Sequence, residues 1–73
     1  MMIESVKQIV AANQGIERSF RFHGSRNQTD EFQGVITELY PAVFTIQLSN
    51  HNIKTFSYSD ILMQSLEILH YYL

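Results

Sequence analysis

The 73-residue sequence contains no cysteine, one proline and three glycines. Without cysteine there is no disulfide, no thiolate zinc site, no thiol redox chemistry and no cysteine nucleophile. No apolar run approaches the length of a membrane-spanning helix. The segment Met1 to Gln14 has neither a basic start nor a long apolar stretch, so it does not read as a secretory signal, and a cytoplasmic location is expected. Charge is sparse, with 16% charged residues and a net −2, which argues against a generic nucleic-acid binder. The hydrophobic share is 45%, an ordinary folded composition for one small domain over residues 1–73. A core this small gains most from a further staple, and with disulfides excluded a homodimer is one expectation.

The hydrophobic period divides the chain. Met2, Ile3, Val6, Ile9 and Val10 fall at helical spacing, which predicts an amphipathic helix within residues 1–14, with Gly15 as its stop. From residue 15 to 73 the period is two. Strands are predicted over 16–23, 32–40, 43–48, 53–58 and 65–73. Gly34 interrupts the second strand and suggests a bulge or bend. Tyr40-Pro41-Ala42 makes a tight turn, and Ser59 or Asp60 caps one helical turn through Met63. The expected architecture is all-β with one N-terminal helix, a small five-stranded SH3-like barrel.

Arg18, Arg21 and Arg26 fall between residues 18 and 29 with His23 and no acid, while the rest of the chain sets Lys7 and Lys54 against all seven acids. Arg21, His23 and Arg26 are therefore the candidate contacts to an anionic partner, because a planar guanidinium gives two parallel hydrogen bonds to phosphate or carboxylate. The bland reading of the same segment is a solvated hairpin. Arg18 falls on the apolar face beside Phe20, where it snorkels at the barrel end or reaches an acid such as Asp60 or Glu67. Phe20, Phe22 and Phe32 read as core rather than as base-stacking rings. Tyr58 is a candidate rim residue whose hydroxyl faces outward. Leu69, Tyr71 and Leu73 make the second face of the last strand apolar, so they either meet a second copy or lie beneath Ile3, Val6 and Val10 of the helix.

No catalytic constellation is apparent. His23, His51 and His70 lack a short ligand spacing, and the carboxylates Asp30 and Glu31 alternate faces along an extended chain, so no metal, cofactor or enzymatic role is expected.

Two segments carry a resemblance. Glu38-Leu39-Tyr40-Pro41-Ala42-Val43-Phe44-Thr45-Ile46-Gln47-Leu48 resembles the E-x-Y-P-x-V-F-x-x-Q-L signature of the bacterial Veg family. Phe56-Ser57-Tyr58-Ser59-Asp60-Ile61-Leu62 resembles that family's V-S-Y-x-D-I-L segment, with Phe56 at the valine. Gly15, Gly24, Arg26, Thr29, Glu31 and Gly34 match its upstream positions without a gap. Where the family has G-R-R-K, Arg26 is followed here by Asn27 and Gln28. The resemblance implies a small cytoplasmic protein of Gram-positive bacteria, linked to biofilm formation and regulation of transcription, with no enzymatic activity or cofactor. It further implies action through an unidentified protein partner, with no membrane role. Weak nucleic-acid binding by the basic hairpin is the alternative.

Overall fold

A computed structural model of the chain describes residues 2–24 and 27–69. The elements are α1 (Ile3–Ala12), β1 (Glu17–His23), β2 (Thr29–Leu39), β3 (Val43–Leu48), β4 (Ile53–Ser57), α2 (Tyr58–Leu62) and β5 (Leu66–Leu69). Among the described residues the strands form one antiparallel sheet in the order β4-β3-β2-β1-β5. Each of β1 to β4 pairs with its neighbour in sequence, and β5 returns to the free side of β1. That agrees with the expected all-β barrel in strand number and direction. No helix among the described residues is long and apolar enough to cross a membrane.

Alternation decides which side chains face inward. Arg18, Phe20 and Phe22 of β1 share the inner face, opposite Gly34, Phe32 and Asp30 of β2 and with Leu66 of β5 beside Phe22. Phe20, Ile36, Phe44, Ile46, Phe56, Tyr58 and Leu66 form the buried core, and Val6 and Val10 of α1 complete it. The aromatic rings run through it in contact: Phe20 stacks on Phe32 at 5.5 Å between centroids, and Phe32 on Phe56 at 6.0 Å. Isolated in water a helix as short as α1 would be marginal, so its packing on α2 and the burial of Val6 and Val10 in the core are what maintain it. Its C-terminal end is also tied down: Gly15, at φ +80°, donates its N–H to Ile36 O at 3.0 Å, and Gln14 Nε2 donates to Thr37 O at 2.8 Å.

Four sequence expectations change. β2 begins at Thr29, not Phe32, because Thr29, Asp30 and Glu31 pair with His23, Phe22 and Arg21. Gly34 is not the bulge; the register shift lies between Ile36 and Leu39. Gly34 instead leaves no room for a side chain against β3, since a Cβ there would sit 2.8 Å from Gln47 O. The cap of α2 is Ser57: its Oγ accepts from Asp60 N–H at 3.2 Å, while Asp60 Oδ2 accepts from Ser57 N–H at 3.0 Å. Such a reciprocal pair satisfies two backbone donors and contributes about 1 kcal/mol. Arg18 reaches neither Asp60 nor Glu67. It stays on the inner face and donates from Nε to Asn13 Oδ1 at 2.8 Å, while Asn13, only 6% exposed, donates from Nδ2 to Ile9 O at 2.7 Å.

Candidate functional site

The outer face of the sheet carries the arginine that the sequence singled out. On β1 the residues alternating with the core positions are Glu17, Ser19, Arg21 and His23. The register places Glu31 of β2 on one side of Arg21 and Glu67 of β5 on the other. Arg21 Nε lies 3.2 Å from Glu31 Oε2, and its Nη1 lies 3.6 Å from Glu67 Oε1. His23 Nε2 is 3.0 Å from the same Glu67 oxygen, and Thr29 Oγ1 is 3.5 Å from His23 Nδ1. These side chains are about two-fifths exposed or more, so each ion pair contributes at most about 1 kcal/mol.

The consequence is electrostatic. Of the basic stretch, Arg21 lies on the outer face between two glutamates, and Arg18 lies on the inner face against Asn13. Counting His23 as neutral, one positive and two negative charges leave −1 across the group. Two of the three guanidinium nitrogens of Arg21 already face carboxylate. Arg26, the third candidate with Arg21 and His23, lies outside the described residues.

Tyr58 does not present its hydroxyl at a rim. It is 4% exposed, and its Oη donates to Tyr40 O at 2.8 Å. Its backbone N–H donates to Ala42 O at 3.3 Å, its ring lies 5.3 Å from that of Phe44, and Lys7 Nζ sits 5.4 Å from its centroid. The two segments that carried the resemblance are therefore joined. The Tyr40-Pro41-Ala42 turn receives both hydrogen bonds of Tyr58, and Ser57 and Asp60 cap the helix that Tyr58 begins. The two Tyr58 hydrogen bonds tie the turn to the start of α2.

Leu69 lies opposite Ser19, on the outer face of β5 and half-buried. Tyr71 and Leu73, its expected partners in self-association, lie outside the described residues, as does His70. The alternative cover for Leu69 does not hold: Ile3, Val6 and Val10 of α1 join the core, on the inner side of the sheet. Between α1, α2 and β5 runs an open groove of about 450 Å³, lined by Ile9, Ile61, Leu62, Leu66 and Ile68. Glu67 also borders it, with its carboxylate committed to Arg21 and His23. Among the described residues no three of His, Asp and Glu converge as metal ligands.

Sequence reasoning missed Glu31 and Glu67 as members of the Arg21 group. Their positions on alternating strands put them on the outer face, but only the pairing of β5 with β1 brings Glu67 to an arginine 46 residues away in sequence.

The comparisons with known proteins bear on the whole domain. A family model described as "Biofilm formation stimulator VEG" matches residues 1–69. No curated protein matches the chain.

Proposed function

The chain belongs to the biofilm formation stimulator VEG family, and from that premise we propose a non-enzymatic regulatory protein of the cytoplasm that acts on biofilm formation through contacts with another protein. Its link to transcription then runs through that partner. The observation that carries this reading is the position of Arg21 between Glu31 and Glu67. Nucleic-acid affinity comes mainly from cations that neutralise phosphates and release counterions. A cation already flanked by two carboxylates gives up those contacts before it can make new ones. The same polar, ion-paired strand face suits a protein surface, where matched charges select the partner.

A direct titration tests the choice. Fluorescence anisotropy of a labelled 20-base-pair DNA, and of an RNA of the same length, is expected to show no saturation below about 100 µM protein at physiological salt, the weak end of non-specific binding. Saturation at low micromolar protein, weakening steeply as salt is raised, would overturn the protein-contact reading in favour of the basic hairpin.

A further inference from the structure

β4 borders the sheet. β3 pairs along one side of it, and among the described residues no strand pairs along the other. In an antiparallel ladder, hydrogen-bonded positions alternate with non-bonded ones. Leu48 N–H donates to Asn52 O at 2.7 Å and Tyr58 N–H to Ala42 O at 3.3 Å, one beyond each end of β4 in the same register. Between them, Lys54 and Phe56 occupy bonded positions and turn their backbone groups toward β3. Ile53 and Thr55 turn theirs outward. Ser57 would do so too, but its N–H is held by the Asp60 carboxylate at 3.0 Å.

The outward edge is thus two residues long and offers two N–H and two C=O groups. Its side chains are accessible, with Ile53 62% exposed. No proline guards it, and Lys54 is the one charged residue between Glu38 and Asp60. Lys54 Nζ rests 5.2 Å from the centroid of Phe32 on β2.

We propose that the β4 edge docks an extended segment of a partner protein, with an acidic residue of that segment opposite Lys54. The inference rests on the protein-contact reading and names the kind of partner that reading requires. Strand addition of this type draws affinity from main-chain hydrogen bonds and selectivity from alternate side chains. Ile53 and Thr55 supply the bonds. Lys54 occupies the intervening non-bonded position, where facing side chains approach most closely and an opposite charge is favoured.

A second copy of the chain fits this edge less well. Antiparallel self-pairing centred on Lys54 would satisfy Ile53 and Thr55 but set two lysines face to face. Centring on Thr55 would pair Ile53 with Ser57 of the other copy, whose N–H is already held by Asp60.

The test uses the isotopically labelled chain and two capped peptides, Ser-Thr-Val-Glu-Val-Thr-Ser and the same sequence with lysine at the centre. The glutamate peptide is expected to slow amide exchange at Ile53 and Thr55 and to confine chemical-shift changes to β4 and its border. The lysine peptide should bind about tenfold more weakly, as like charges replace opposite ones. Lys54→Glu should reverse that preference. Thr55→Pro removes an N–H that the ladder does not use, so it should abolish binding while leaving the remaining spectrum in place. Unchanged amides at millimolar peptide, equal binding of both peptides, or slowed exchange that grows with protein concentration alone would overturn the proposal. If the peptides fail while proteins captured by the chain survive nuclease, the edge site falls and the protein-contact reading stands. If capture is lost with nuclease, the reading itself falls.

Discussion

Phe56→Ala should remove a large part of the stability of the domain. The ring is 7% exposed and is the meeting point of three others, with centroids 5.5 Å from Phe22, 6.0 Å from Phe32 and 6.4 Å from Phe44. Removing a buried phenyl costs about 3–5 kcal/mol, from lost transfer free energy together with the cavity left behind. A chain of this length has a total stability of about 4–11 kcal/mol. Thermal unfolding should therefore show a midpoint lowered by more than about 12 °C, or no cooperative transition at all. Phe56→Leu, which keeps most of the volume, should lose much less. Ile53→Ala on the same strand, at 62% exposure, should stay within about 0.5 kcal/mol of the parent. A Phe56→Ala chain with the parent's melting temperature would mean that the aromatic cluster does not hold the sheet together.

Gly34→Ala is the second large effect, and it adds one carbon where the first prediction removes a ring. The new Cβ would sit 2.6 Å from Ile46 Cγ2 and 2.8 Å from Gln47 O. The side-chain methyl could rotate away, but the carbonyl belongs to the β3 backbone and can yield only if the strand moves. β2 and β3 are in register at Gly34–Leu48, Val35–Gln47 and Ile36–Ile46. Movement there would disturb the buried Ile36 and Ile46 as well. Overpacking of this kind costs about 1–3 kcal/mol, and the backbone partner puts Gly34→Ala at the upper end. Gly24→Ala is the control, because its added Cβ would meet nothing nearer than 3.7 Å. Denaturant midpoints measured side by side should fall clearly for Gly34→Ala and barely for Gly24→Ala. Equal midpoints would contradict the close approach of β3.

The elements were legible wherever local pattern and tertiary pairing agree. Val43–Leu48 is a strand by alternation and a strand in the sheet with the same limits. Asp30 and Glu31 have poor strand propensity, and pairing with β1 is what carries β2 back through them to Thr29. The cap moved from Ser59 or Asp60 to Ser57 because α2 begins at Tyr58, a residue that alternation alone leaves in the strand. Gly34 was recognisable as special, yet its reason lies in β3, so local sequence could not tell a bulge from a close approach. Arg18 could not be placed because its partner Asn13 is buried at the end of α1, and such a contact leaves no periodic trace.

The candidate site shows the same division. Grouping Arg21 with His23 needs only the period of a strand, and the structure does place both on one face. The ion pairing of Arg21 on that face needs the register of β1 against β2 and β5, which hydrophobic alternation does not encode. Tyr58 has the opposite history: an amphipathic ring near a strand end suggests a rim, and the fold encloses it with the Tyr40 carbonyl placed to accept its hydrogen bond.

The proposed action of this family member is through a protein partner rather than through nucleic acid. The measurement that meets it most directly is affinity capture by the full chain from extracts of biofilm-forming cells, run in parallel with and without nuclease and quantified by mass spectrometry. The account predicts a protein retained in equal amount in both arms. Capture of proteins only in the untreated arm, or of nucleic acid alone, would contradict it.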